Sequence, residues 1–271
     1  MFFDSHAHIN NADYTEQDRM ELLEAIERSS LDYVMDIGFD IPSSIMAAKH
    51  AAENDFVFAA VGCHPHDTKL MDEEGLDTIR QLTKQPGVKA IGEIGLDFHY
   101  DLSDRDIQRE WFRRQIRLAN ELKMPIAIHS READQETMDI LVEEGAFSDE
   151  RKSWFPAQPG GEPDARVLIH CFSGSAEMAK QYIKMGATIS ICGPVTYKNN
   201  KKTVAVVEAV PIDYILVETD SPYLAPVPMR GKPNVPMNVE YTAAKIAEIK
   251  GMTLEEVAAR TKANAMRFYG I

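Results

Sequence analysis

The sequence predicts an α/β fold of the (β/α)8 TIM-barrel class, with the active face at the C-terminal ends of the strands. Three observations carry this. Eight short apolar runs recur along the 271 residues. Helically periodic stretches separate them. Side chains of metal-ligand type fall at or just past the ends of the first, fourth, fifth, sixth and eighth runs, which is the face where active sites of such barrels form.

The runs occupy 2–3, 33–37, 56–61, 88–91, 126–128, 167–169, 187–191 and 214–217. Most are brief, rich in Val and Ile and not alternating, as strands buried on both faces are. Helical periodicity covers 16–28, 43–53, 74–84, 106–123, 132–143, 176–185 and 201–209, with 239–250 and 254–268 after the last run. Thr15, Pro42-Ser43, Ser175 and Thr253 mark helix starts. Eight β-then-α units in a chain of this length favour a closed barrel over an open doubly wound sheet, with residues 1–271 as one hydrolase domain. The longest irregular segment, 145–165, lies between a helix and the next strand. In a barrel that is the face opposite the active site, so it reads as a surface excursion or oligomer contact rather than a lid.

Forty-three acidic against 29 basic residues give a formal charge of −14. Such a surface repels polyanions and leaves no broad footprint for duplex DNA, so a nucleic-acid substrate needs a local exception. Metal ions in a cleft provide one. Cys63, Cys171 and Cys192 follow no C-x-x-C spacing, which fits reduced core thiols of a cytoplasmic protein. No basic leader followed by an apolar run, and no bilayer-length stretch, is seen; the expectation is a protein made without export, with no membrane partner.

The candidate ligands are His6 and His8 in FDSHAH, Glu93 in VKAIGEIGLD, His129 in PIAIHSR, His170 in RVLIHCFSG and Asp220 in YILVETDSP. Imidazoles and carboxylates without a cysteine describe a binuclear centre for a borderline or hard divalent cation. His6 and His8 are two apart, so both rings project from one side of an extended chain. Zinc suits the histidines, while magnesium or manganese suits the carboxylates and phosphate chemistry.

The ordered series DSHAHIN, GCHPHD, GEIGLDFHYD with Gln108 and Gln115 downstream, PIAIHSR, IHCFSG and ETDSPYLAP resembles the TatD family of metal-dependent deoxyribonucleases, in the amidohydrolase superfamily. The likeness runs from about residue 3 to residue 268. It implies a TIM barrel with two divalent metals and nuclease activity on DNA, often 3′-to-5′ on single strands. The family's ligand pattern maps onto His6, His8, Glu93, His129, His170 and Asp220 without substitution, whereas 145–165 is longer than the family leads one to expect.

On this reading Glu93 bridges the ions, His6, His8 and Asp220 hold the first, and His129 and His170 hold the second. A two-metal pair lowers the pKa of bound water from about 16 toward about 7, and Asp220 is placed to orient that water and take its proton. His64 reads equally, from spacing, as a strand-end histidine or as a group that contacts the scissile phosphate or protonates the leaving oxygen; the resemblance favours the second. Arg131 and Arg230, with Lys232, are candidate phosphate clamps, and Lys198, Lys201 and Lys202 a candidate basic patch or a charged helix start.

Asp97 and Glu218 are candidate partners that steady ligands. Strand alternation turns Cys63 and Cys171 away from the site. Trp111 and Phe112 read as barrel packing, and nothing selects His50, His66 or His99. No G-x-S-x-G elbow or phosphate-binding glycine loop is present. Three functions follow, in order: a DNA phosphodiesterase; an amide or ester hydrolase such as an aminoacyl-tRNA deacylase; and a metal-binding scaffold without catalysis.

Overall fold

In the computed structural model, which describes residues 1–271, the eight apolar runs are eight parallel strands paired in chain order. They are β1 (Phe2–Ala7), β2 (Leu31–Ile37), β3 (Val57–Val61), β4 (Val88–Asp97), β5 (Ile126–Arg131), β6 (Val167–Ile169), β7 (Ala187–Ile191) and β8 (Ile215–Val217). The ring closes through a parallel bridge between Ala7 and Ser221. There the His8 amide donates to the Ser221 carbonyl at 2.8 Å and the Asp220 amide to the His6 carbonyl at 2.9 Å. Closure therefore occurs at the end that carries candidate ligands, and sequential order excludes a doubly wound sheet.

The helices are α1 (Glu16–Glu27), α2 (Ile41–Glu53), α3 (Glu73–Leu82), α4 (Arg105–Leu122), α5 (Asp134–Glu143), α6 (Asp149–Lys152), α7 (Ala176–Met185), α8 (Lys201–Ala209), α9 (Val239–Lys250) and α10 (Leu254–Tyr269). Thr15, Ser175 and Thr253 cap α1, α7 and α10 by accepting from the amides of Asp18, Met178 and Glu256. Helix α2 starts earlier than its sequence signal: Asp40 is the cap and Pro42 sits in the first turn, where its missing N–H costs nothing. None of the helices is long and apolar enough to cross a membrane.

Two apolar clusters hold the layers together. The larger joins the strands to the surrounding helices. The smaller takes Phe3, Met35, Ala60, Ala90, Ala127, Leu168 and Leu216 from seven strands and packs them on Phe268 and Tyr269 of α10. The Tyr269 hydroxyl donates to the Ser5 carbonyl at 3.0 Å. Inward side chains thus fill the barrel away from the ligands, and it is a packed core rather than a pore.

Segment 145–165 departs from the expected surface excursion. It contains α6, and Arg151 on that turn is fully buried. Its guanidinium donates to the carbonyls of Ala165 (2.7 Å) and Met124 (2.8 Å) and to Asn120 Oδ1 (2.8 Å). Buried Gln158 donates to the carbonyls of Gly186 and Ala187 at 3.3 and 3.2 Å. The segment therefore seals the N-terminal ends of β5, β6 and β7, on the predicted face, by satisfying backbone carbonyls that the core would otherwise leave unpaired.

Candidate metal centre

Glu93 is 3% exposed, and its two oxygens face different groups. Oε2 lies 3.4 Å from His6 Nε2 and 3.7 Å from His8 Nε2. Oε1 lies 2.7 Å from His170 Nε2, 2.9 Å from His129 Nδ1 and 3.6 Å from His64 Nε2. Asp220 Oδ1 completes the first side, 3.4 Å from His8 Nε2 and 3.7 Å from His6 Nε2. All six residues singled out in the sequence, with His64, thus converge at the C-terminal end of the barrel. They come from β1, β4 and β5 and from the residues just after β1, β3, β6 and β8.

Local structure aims each ring. His8 Nδ1 donates to the Ile37 carbonyl at 2.8 Å, which leaves Nε2 facing the carboxylates. His64 Nδ1 accepts from the His66 amide at 3.2 Å; its proton therefore resides on Nε2, directed at the cleft. Gln115 on α4 holds the turn carrying His64, accepting from the Cys63 amide at 2.8 Å and donating to its carbonyl at 3.1 Å. Gln108 does the same for Asp97, accepting from its amide at 2.9 Å. Buried Asp4 accepts from the Thr219 amide at 2.9 Å and so fixes the turn that presents Asp220.

Burial raises the Glu93 pKa, but the facing His170 and the hydrogen bonds from His129 and His170 outweigh it and hold the carboxyl well below its usual range. Burial lowers the His8 pKa, and Asp220 and Glu93 overcome this and raise it to about 9. His170 is raised by Glu93 and Glu218 against the same burial. His6 and His64 go the other way: burial pushes both down, helped by neighbouring His170 and His129 respectively. Protons on His8 and His170 therefore balance the buried carboxylates where a cation is absent.

The donor set fits a divalent metal. His6 is wholly buried and neither ring nitrogen has a hydrogen-bond partner, nor does His170 Nδ1. Bare buried nitrogens are costly, and a cation taken by His6 Nε2 removes that cost. His6, His8 and Glu93 place ligand atoms within 4.8 Å of one another.

Some side chains depart from their sequence reading, but Asp97 does not: its Oδ2 accepts from Nε2 of the candidate ligand His129 at 3.1 Å. The same oxygen accepts from His66 Nε2 at 2.9 Å, so His66, which spacing did not select, belongs to the cleft wall. The signal was present as H-x-H in GCHPHD. Cys171 also reaches the wall. It lies past the end of β6 at φ 43°, so strand alternation no longer applies there. Its amide donates to Glu218 Oε1 at 2.6 Å, and Glu218 sits 3.6 Å from His170 Nδ1.

Cys63, Trp111 and Phe112 are buried as expected. His50 pairs with Asp36 at 2.7 Å and His99 with Glu132 at 2.7 Å, and neither is part of the cleft wall. Arg131 lines the cleft with its guanidinium 4.6 Å from the Tyr100 ring centre. Arg230 is not brought into the wall and stacks on Tyr197 at 4.5 Å, and Lys198, Lys201, Lys202 and Lys232 also lie outside it.

A parallel barrel with histidines and carboxylates gathered at its C-terminal mouth defines a metal-dependent hydrolase. The family model described as TatD related DNase matches residues 3–270. A Bacillus subtilis (strain 168) protein, "Uncharacterized metal-dependent hydrolase YabD", is 44% identical over 271 residues, covering 100% of both chains. A Rahnella protein, "3'-5' ssDNA/RNA exonuclease TatD", is 30% identical over 262 residues, covering 94% of each. The crystal structure of YJJV, a TatD homolog from Escherichia coli K12, superposes with TM-score 0.87 at 23% identity, covering 100% of this chain and 98% of that one. The chain belongs to the TatD-related DNase family and is a metal-dependent hydrolase of that family.

Proposed function

We propose that the chain is a deoxyribonuclease that uses two divalent ions to remove nucleotides from the 3′ ends of single-stranded DNA. The observation that carries this reading is the division of Glu93, whose Oε2 faces His6 and His8 while Oε1 faces His129, His170 and His64. A carboxylate with two occupied sides suits a bridge between two cations: His6, His8 and Asp220 would hold one, and His129 and His170 the other. When bound, such ions polarise a phosphoryl oxygen and make a water acidic near neutral pH. Imidazole and carboxylate donors fit zinc, manganese or magnesium.

The chain's own groups perform the rest. Asp220, held by the Asp4–Thr219 contact, orients the attacking water and takes its proton. His64 keeps its proton on Nε2 and donates a hydrogen bond from it to the scissile phosphate or leaving oxygen. Arg131 offers the cleft a fixed positive charge. Asp67, Glu93, Asp97 and Asp220 of the wall would leave it unattractive to a phosphodiester unless cations or protons offset them, and divalent cations would supply the larger positive field. A DNA substrate also accords with the name of the Rahnella relative.

A carbonyl substrate, such as an aminoacyl ester, remains the second reading because Arg230 lies outside the wall and leaves Arg131 as its single arginine. The deciding experiment incubates wild type and Glu93→Ala with 5′-labelled single-stranded DNA and magnesium, manganese or zinc. The expected result is a metal-dependent ladder that shortens from the 3′ end and is absent in the variant. Intact DNA beside rapid acyl-ester turnover by the same metal-loaded preparation reverses the order of the two readings.

A further inference from the structure

We infer that Tyr223 is a stacking platform for the terminal nucleobase of the substrate strand, and so selects ends whose last base is unpaired. The inference rests on the nuclease reading and adds a recognition element to it. Tyr223 belongs to the cleft wall yet is 53% exposed, and Leu224 beside it is 38% exposed. An aromatic ring left open at the mouth of a cavity of about 880 Å³ leaves substantial apolar surface in water that a flat ligand can cover.

The ring is held in place before any substrate arrives. Buried Asn11 donates from Nδ2 to the Tyr223 hydroxyl at 2.9 Å. The Tyr223 amide donates to the Asp220 carbonyl at 2.9 Å, and fully buried Asn234 donates to the Tyr223 carbonyl at 2.7 Å. A ring fixed at its hydroxyl and at both ends of its backbone loses little freedom on binding. It stands 6.1 Å from the ring of His8, a candidate metal ligand, inclined at 65°.

The opposite rim is built differently. Tyr100 is equally open, at 52%, but the Arg131 guanidinium lies over its ring. Tyr197 carries Arg230 in the same way. No guanidinium or ammonium covers Tyr223. The geometry therefore divides the cleft into a cationic Tyr100–Arg131 side suited to the sugar-phosphate chain and a bare aromatic side suited to a base. A base freed from its partner can follow its phosphate to the candidate metal ligands and lie on the ring, so the platform favours frayed or single-stranded ends, and stacking tolerates any base.

The test compares two oligonucleotides, one ending in an ordinary 3′ nucleotide and one in an abasic 3′ residue, using metal-loaded wild type, Tyr223→Ala and Tyr223→Phe. Wild type is expected to process the base-bearing end with kcat/KM on the order of tenfold higher, the effect of one base–aromatic stack. Y223A should lose that preference, its rate falling far more on the base-bearing end than on the abasic end, and Y223F should keep it. Because Y223A could fail to fold, Tyr223→Trp supplies an independent reading: its added fluorescence should be quenched by a cleavage-resistant phosphorothioate oligonucleotide and not by its abasic counterpart. Equal processing of both ends by wild type, an unchanged preference in Y223A, or equal quenching of Y223W overturns the inference while the nuclease reading stands. Release of nothing from either end by wild type overturns both.

Discussion

Asp97 Oδ2 accepts a hydrogen bond from His129 Nε2 at 3.1 Å, while the other nitrogen of the same ring donates to Glu93 Oε1 at 2.9 Å. The imidazole is thereby fixed between a carboxylate behind it and a carboxylate in the centre. Burial disfavours its charge, but the bonds to Asp97 and Glu93 raise its pKa above the ordinary value. Asp97 is itself anchored, accepting at Oδ1 from the amides of His99 and Tyr100 at 3.0 and 2.9 Å.

Asp97→Ala should therefore weaken metal binding about 10- to 100-fold, the usual cost of losing a partner that orients a ligating histidine. Titration of chelator-treated protein with zinc, followed calorimetrically, checks this. An unchanged affinity would show that His129 needs no support from behind.

The particular residues show what the sequence could and could not disclose. Strands β6 and β7 and helices α7, α8 and α9 fall on their predicted bounds because Val/Ile runs and capping residues bracket them closely. Strand β4 runs to Asp97, well past the apolar run 88–91, because Gly92, Glu93 and Gly95 interrupt the hydrophobic pattern while the backbone stays paired to β5. The candidate ligands were legible since their chemistry is rare on buried strand ends. His66 was not, because its pairing with Asp97 spans 31 residues. Arg151 was hidden for another reason: composition marks arginine as a surface residue, and only the fold reveals the carbonyls that bury it.

The raised pKa of His8 sets a pH dependence for the metal-free protein. A protonated His8 stabilises the fold fully below the unfolded imidazole value of about 6.5, and that stabilisation is lost as pH rises through about 9. Chelated protein should accordingly melt at progressively lower temperature across that window, and His8→Gln should show a shallower decline. Thermal melts from pH 6 to 10 test it. Metal should bind more tightly over the same rise, since it displaces the proton.

Gly95 has φ 151°, and a Cβ built there would sit 1.9 Å from the His129 carbonyl oxygen. Gly95→Ala must push β5 away from β4 at the residue that carries a candidate ligand. A loss of about 1–3 kcal/mol in stability is expected from the clash, together with reduced metal content. Denaturant unfolding and metal analysis measure the two effects. Wild-type values for both would mean that the sheet absorbs the methyl group without moving His129.

Arg151 gives the prediction that separates fold from function. Burial pushes its pKa down to about 10, so it remains charged at neutral pH, with that charge spread over the carbonyls of Ala165 and Met124 and over Asn120 Oδ1. Arg151→Met preserves much of the volume but leaves those acceptors unpaired in the core, at about 1–3 kcal/mol for each lost charged hydrogen bond before relaxation. Lys cannot restore the forked geometry, so R151K should be nearly as unstable. Because this seal lies at the N-terminal ends of the strands, far from Glu93, folded R151M at low temperature should retain wild-type metal stoichiometry and kcat. A lower melting temperature with unchanged kcat identifies 145–165 as structural; loss of kcat at a temperature where the variant is folded would instead tie the segment to catalysis.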